Sequence, residues 1–431
     1  MNLVTLTEHE RTILKEAPEK GHLTFLDVER LKAAQKKVGV EAIRWSGHRE
    51  IAAGSYVGLL SASGVDLEIL PKISGLGVGD TRAALIGMLV TAWHVPVHDG
   101  DLADHDVQNQ SILETLIGLF ARRLHAEVRK GLSRAYRQER EELPQLRGRL
   151  DTIRQFSTLA ARPDRLACQY DAFTSDIPMN RLLLCAVEWL VRQSRRPDTQ
   201  RLLSEVATHF ESVTRISLQD ARSLQITTDR MNRRWHIPIR LVQLFISGRY
   251  QTAHAGATEG IALLFDMNRL FESFVASLAL RVLLPLGYHV KAQWPQQPLA
   301  LGTSGAAFHT RPDIHIEGLG QVIVMDTKWK HIDPSRPNGD VAQSDAYQMH
   351  AYAHSYKAAF TILVYPHHAG IAEAPGLHRA WRFTTGSCTL GILSVDVARP
   401  KHTATVLLQL IENMNRSSEL NPEFVKEAGP A

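Results

Sequence analysis

The chain has 431 residues, 44% of them hydrophobic and 22% charged. That composition is globular, and the length exceeds one ordinary core, so two or three domains are expected. A net charge of +4 is compatible with nucleic acid without being diagnostic of it. Three cysteines without paired spacing (Cys168, Cys185, Cys388) argue against a disulfide framework or a cysteine zinc site and suit a reducing cytoplasm.

In chain order, MNLVTLTEHERTILKEA is too polar for a secretory signal, and no run is apolar for long enough to span a membrane. Residues 1–40 read as an N-terminal extension in which Leu26–Val38 forms a helix with a basic face and no evident chemistry. From Ala42 to Ser74, glycines at 47, 54, 58 and 64 punctuate alternating runs, which predicts a small sheet or barrel within a β-rich segment, 41–110. Thr81–His94 and Ile112–Gly131 read as helices, the second ending in basic residues and a glycine. Between Arg122 and Arg149, nine Arg/Lys face four acids, a solvated face or a surface that meets phosphates or a partner. The middle region, 111–255, reads as mostly helical: Met179–Arg192 and Ile237–Ile246 are apolar helices, and Cys185 is a buried small hydrophobe within the first. Residues 251–260 are small and polar, a loop leading into an α/β segment at 256–400. A helix over TATVLLQLIENM and a polar tail occupy 401–431.

Chemistry concentrates in TRPDIHIEGLGQVIVMDTKWK, Thr310–Lys330. Val322–Met325 reads as a buried strand, and Gly318 and Gly320 supply a turn before it. Asp313 and Asp326 are therefore expected on adjacent strands of a hairpin, with Lys328 on the same face as Asp326. Two carboxylates and an ammonium at a buried strand end are costly to desolvate unless something binds them, and a divalent cation would offset that cost. Asp313, Asp326 and the Thr327 carbonyl supply hard oxygen donors suited to Mg²⁺, and Lys328 could orient the attacking water in phosphodiester hydrolysis. A strand-edge salt bridge is the plainer meaning of Asp-x-Lys. Context comes from both sides. Phe265–Leu284 reads as an amphipathic helix with Glu272 at the border of its apolar face, and Asp345–Tyr356 as a helix with Gln348 and Tyr352 on one face. Histidines 331, 350 and 354 are candidate neighbours of the site.

Helix glutamate, P-D, D-x-K and Q-x-x-x-Y together resemble the PD-(D/E)xK nuclease superfamily. MNRLFESFVA, TRPDI, VMDTKWK and the last helix resemble, more narrowly, the McrC family, the nuclease subunits of McrBC-type modification-dependent restriction systems. The likeness maps onto Glu272, Asp313, Asp326, Lys328, Gln348 and Tyr352, is strongest over Met267–Tyr352, and extends loosely from about residue 45 to the late 390s. It implies a multi-domain α/β protein with a β-rich and helical N-terminal half and a C-terminal restriction-endonuclease-like domain. It also implies Mg²⁺ (or Mn²⁺ in its place) held by Asp313, Asp326, Thr327 and Glu272, and double-stranded DNA as substrate. The β-rich segment 41–110 would dock on a hexameric McrB-like AAA+ GTPase, which would recognise methylcytosine. This chain contains no Gly-Lys-Ser or Gly-Lys-Thr and is expected to bind no nucleotide itself. LRGRLD at 146–151 also resembles a family segment. A stand-alone RecB-like repair nuclease and a non-catalytic adaptor that stimulates a motor ring stay open beside this reading.

Overall fold

The structure, a computed structural model, describes residues 2–95, 110–226, 232–247, 262–293, 296–303 and 305–419. The chain divides into two compact units: Met1–Ile112 with Gly248–Ala431, and Leu113–Ser247. The expected loop at 251–260 lies outside the described residues.

The first unit opens with β1 (Asn2–Thr7) and β2 (Arg11–Ile13), then helix α1 (Phe25–Val38). Thr24 and Asp27 close a reciprocal capping box at the start of α1, and Gly39, left-handed at φ 67°, ends it. Strands β3 (Ile43–Gly47), β4 (Glu50–Ala53), β5 (Tyr56–Ala62) and β6 (Val65–Leu70) follow, and then helix α2 (Val78–Ala92). The expected strands form, in two sheets: β2-β4-β3, and a four-stranded sheet whose first strand is supplied by the N-terminus, β1 running parallel to β6. Every residue of β6 is buried, charged ones included. Glu68 is satisfied by the Arg82 guanidinium (Nη2 at 2.6 Å) and the Ile112 amide, and Asp66 by the Ser61 hydroxyl.

The second unit contains α3 (Ile112–Val128), β7 (Ala135–Leu143), β8 (Arg149–Leu150), α4 (Thr152–Phe156) and β9 (Leu166–Thr174). Helices α5 (Pro178–Gln193), α6 (Pro197–Thr208), α7 (Leu218–Ser223) and α8 (His236–Ser247) complete it. The helices match the apolar periodicity, and Cys185 is buried in α5, its thiol pushed up to about 11 by desolvation. The middle region also holds a sheet ordered β7-β9-β8, so about a third of the basic run is strand. β7, AYRQEREEL, is mostly exposed and has no apolar alternation to announce it.

The chain re-enters the first unit at β10 (Ala262–Asp266), which pairs antiparallel with β5 and completes the order β1-β6-β5-β10. The approach is close: a Cβ on Gly58 (φ 125°) would lie 1.9 Å from the Leu263 carbonyl oxygen. Phe265 and Asp266 thus belong to a strand, and α9 (Met267–Leu283) starts where Asp266 accepts hydrogen bonds from the Asn268 and Arg269 amides. Next come β11 (His289–Ala292), the hairpin β12 (Gln297–Gly302) and β13 (Gly305–Thr310), and the strands β14 (Ile314–Gly318) and β15 (Gln321–Thr327). Helix α10 (Gln343–Ser355), strands β16 (Phe360–Pro366), β17 (Gly376–Arg382) and β18 (Thr389–Val395), and helix α11 (Pro400–Glu419) end the described chain.

A six-stranded mixed sheet, ordered β11-β14-β15-β16-β18-β17, carries the candidate site. β14 and β15 form a two-residue hairpin whose central residues, Leu319 and Gly320, both have positive φ (51° and 75°), as a type I′ turn requires. β15, β16 and β18 are parallel, so β15 and β16 need a crossover, which α10 provides. Met349 and Tyr352 of α10, with Tyr356 at its C-cap, pack with Val324, Leu363, Tyr365 and Ile392. Alternation then places Asp326 on the same face as Val324, beneath α10. Helix α9 packs on β15 and β11.

Candidate active site

Asp313 immediately precedes β14, and the pairing Ile314↔Met325 brings it opposite Asp326 across the hairpin. Asp313 Oδ2 accepts from the Thr327 amide (2.7 Å) and hydroxyl (2.8 Å). Thr327 thus fixes the first carboxylate, and Asp326, only 2% exposed, supplies the second. Lys328 Nζ lies 2.5 Å from Asp326 Oδ2, and it donates to Gln348 Oε1 at 3.1 Å. Asp326 Oδ2 is thus buried with the Lys328 ammonium against it.

Gln348 connects the cluster. Its amide donates to the Tyr352 hydroxyl (2.8 Å) and, at 3.4 Å, to Asp326 Oδ1. The Tyr352 hydroxyl in turn donates a hydrogen bond to the Arg311 carbonyl at 3.0 Å. Spacing by four on α10 is what lets Gln348 and Tyr352 act on one face. Glu272, half-buried on α9, accepts from Gln293 Nε2 at 2.5 Å. The six residues expected from the sequence, with Thr327, therefore converge on one end of β15 from four elements.

Electrostatics reflect that convergence. Burial, then the Asp313 charge, pushes Glu272 up to about 7, with Asp326 adding to the rise. Burial and Asp313 likewise push Asp326 up to about 6 against the pull of Lys328. Burial works against the Lys328 ammonium, but the charges of Asp326, Asp345 and Asp313 outweigh it and hold its pKa above the ordinary lysine value. Burial, then Asp326, raises Tyr352, which stays a neutral donor. The Asp313 charge thus disfavours the charged forms of Glu272 and Asp326, and a hard divalent cation would relieve this. Among the described residues, no three His, Cys, Asp or Glu side chains gather closely enough to hold a metal ion as they stand. Each carboxylate leans on a protein partner: Asp313 on Thr327, Asp326 on Lys328, Glu272 on Gln293. The buried Asp326 carboxylate and the oxygen-rich donor set nonetheless suit Mg²⁺ chemically.

Other groups complete the surroundings. Lys330 pairs with Asp345 on α10. Trp329 packs its ring edge-on against Phe271 of α9 and donates Nε1 to Glu8 Oε1 at 2.7 Å, while Glu8 also accepts from the Lys72 amide. His331 lies against His368, and His350 against His354 and Phe383. Gln293, Asp345 and Glu8 belong to no spacing pattern that sequence reading could detect, and Arg311 offered only its place beside Pro312-Asp313.

No curated protein matches the chain in sequence. Among solved structures, it resembles a chain in the refined half-complex from the tetradecameric assembly of Thermococcus gammatolerans McrB AAA+ hexamers with bound McrC. The TM-score is 0.70 at 20% identity, covering 96% of this chain and 100% of that one, a likeness of fold. It also resembles a chain of the cryo-EM structure of the Thermococcus gammatolerans McrBC complex, with a TM-score of 0.50 at 25% identity over 65% of this chain and 88% of that one. The family model for the McrBC 5-methylcytosine restriction system component matches residues 51–366, which include Glu272, Asp313, Asp326, Lys328, Gln348 and Tyr352. That match takes in well over half of the sequence, and the chain belongs to the McrBC family of restriction-system components.

Proposed function

We propose that this chain is the nuclease subunit of a McrBC-type modification-dependent restriction system. It docks on an AAA+ GTPase, stimulates it, and hydrolyses DNA phosphodiesters to leave 5′-phosphate ends. The observation that supports this best is the arrangement of Asp313, Asp326, Lys328 and Gln348 around one strand end, with Glu272 facing it. The hairpin, the β15-α10-β16 crossover and α9 would be the core of a PD-(D/E)xK domain within 256–400, and the β-rich segment of 41–110 would carry the docking surface.

In this mechanism Asp313, Asp326, the Thr327 carbonyl and Glu272 would hold Mg²⁺, whose role is to polarise the phosphoryl oxygen and lower the pKa of water. Lys328 keeps its proton and donates it in a hydrogen bond, orienting the attacking water and offsetting charge that develops on phosphate oxygens. Gln348 fixes the ammonium and Tyr352 fixes Gln348, so that little reorganisation is left for the reaction itself.

The test is cleavage of methylated and unmethylated plasmid by the full chain, with Mg²⁺, GTP and a McrB-like AAA+ GTPase from the same genome. Wild type and Asp326→Ala are compared, each with and without the GTPase. Cutting that requires the GTPase, methylation and Asp326 is the expected result. Cutting by the lone chain would replace this reading with a stand-alone nuclease. GTPase stimulation without cutting under any condition would replace it with an adaptor.

A further inference from the structure

Gln293 is a non-glycine residue held in the left-handed region (φ 51°), a conformation that costs energy and persists only where its surroundings enforce it. Here the surroundings are the candidate site. The Gln293 amide donates to the Asp313 carbonyl at 2.7 Å, and its side-chain Nε2 donates to Glu272. Both remaining acceptors, the backbone carbonyl and Oε1, are taken by one guanidinium, Arg311 Nε (3.1 Å) and Nη2. One strained residue therefore ties a carboxylate of the site to an arginine.

Arg311 is fixed from behind as well. Its carbonyl accepts from Tyr352, and the Thr310 carbonyl before it accepts from Tyr356 at 3.0 Å, while Pro312 restricts the backbone of Arg311, the residue that precedes it. Yet Arg311 is exposed, and among the described residues no carboxylate lies within ion-pair distance of its guanidinium. Its hydrogen-bond partners are neutral. A rigid, solvent-facing guanidinium that no carboxylate contacts directly, with Glu272 acting on it only at a distance, is a pre-organised anion contact. The charge balance of the site agrees. Glu272, Asp313 and Asp326 outweigh Lys328 and Arg311, and one divalent cation would reverse the sign and make the mouth attractive to phosphate.

We propose that Arg311 contacts the phosphodiester backbone of DNA beside the scissile phosphate, and that Gln293 is a positioning residue that aligns both Arg311 and Glu272. The inference rests on the nuclease reading above and names a substrate contact that reading lacks.

The experiment uses the full chain with its AAA+ GTPase and a fluorescent methylated duplex. Single-turnover cleavage is followed over a range of KCl and of Mg²⁺ concentrations for wild type, Asp326→Ala, Arg311→Ala, Arg311→Lys and Gln293→Ala. Loss of one phosphate contact should make the slope of log apparent affinity against log salt shallower by about one for Arg311→Ala, on every duplex sequence. Arg311→Lys should restore most of that slope. Gln293→Ala should slow cleavage by about tenfold and raise the Mg²⁺ needed for half-maximal rate, because Glu272 loses its donor. A merely structural role would lower thermal stability and leave slope and Mg²⁺ requirement unchanged, and that result overturns the proposal. If the wild type cuts nothing, or Asp326→Ala cuts as wild type does, the nuclease reading itself falls and takes the inference with it.

Discussion

Asp176 in the second unit and Asp326 in the first are both nearly inaccessible aspartates beside a cation, 9% and 2% exposed. Arg181 grips Asp176 with Nε and Nη2, each at 2.6 Å. The Thr214 amide and hydroxyl add two bonds, and Arg137 a third cation contact at 3.3 Å. These donors, Arg181 foremost, hold the Asp176 carboxyl well below the usual carboxylate range. Asp326 has Lys328 at one oxygen, a long bond from Gln348 at the other, and Asp313 opposite it, and its carboxyl moves up to about 6. Burial weighs on both, and more heavily on Asp326, where it is the largest influence. At Asp176 the donors outweigh it, whereas at Asp326 the fold supplies too few to replace the lost water. A buried carboxylate left short of donors beside others is where a fold holds unfavourable charge for chemistry.

The sharpest way to break the comparison is to delete both carboxylates and read activity and stability together. Asp326→Ala should abolish cleavage, by on the order of 10³-fold or more, while leaving stability within about 1 kcal/mol of wild type. Asp176→Ala should destabilise the chain by about 2 kcal/mol, because the charge-assisted bonds from Arg181 and the bonds from Thr214 are lost. Urea melts and plasmid cleavage on both variants check this, and equal stability losses would end the distinction. The pH dependence has a definite sign. The folded pKa of Asp176 lies below the ordinary 3.8, so its stabilisation is fully present above pH 4 and fades as pH falls through the folded value. The gap between wild type and Asp176→Ala should therefore shrink from pH 7 to pH 3. A constant gap would mean that the charge of Asp176 contributes nothing.

A smaller effect tests the shortage of donors directly. Mg²⁺ at about ten times its dissociation constant should stabilise the wild type by about 1.4 kcal/mol through mass action. In a domain of this size, that is a rise in melting temperature of about 2–4 °C. Asp326→Ala and Glu272→Ala should show little or no rise, whereas Asp176→Ala should show the full one. Calorimetric scans with and without Mg²⁺ decide it, and an equal rise in all four proteins would place the ion elsewhere.

How much of this could be read in the sequence follows from how local each feature is. The Asp313–Asp326 pair sits on one hairpin, and a turn with two positive φ angles fixes its register, so glycine spacing and an apolar run were enough. Gln348 and Tyr352 needed only the helical repeat. The docking of α10 over β15 made them neighbours of Lys328, and the order of motifs along the chain had anticipated it. The contacts of Glu8 were out of reach, since Trp329 lies 321 residues away. So was the parallel pairing of β1 with β6, which joins the first residues to the sheet without a local signal. The β7-β9-β8 sheet escaped detection for a different reason: β7 mixes arginines and glutamates on both faces, and a strand without an apolar face has no period to detect. Gln293 depends on backbone strain, which composition does not reveal.

The smallest expected effect concerns the tyrosine. Tyr352 could contact the DNA backbone or merely brace the site, and its position decides between the two. At 3% exposed, with its hydroxyl engaged by both Gln348 and the Arg311 carbonyl, it offers no surface to a nucleic acid. Tyr352→Phe removes one hydrogen-bonded hydroxyl at a cost of about 1 kcal/mol. The same free energy, felt through Gln348 at the Lys328 ammonium, corresponds to a rate loss of about three- to tenfold. Because no phosphate contact is lost, the salt slope of Tyr352→Phe should equal that of the wild type, in contrast to Arg311→Ala. Single-turnover cleavage across a KCl series measures both quantities. A shallower slope for the phenylalanine variant would mean that the hydroxyl reaches phosphate after all, and that α10 must move when DNA binds.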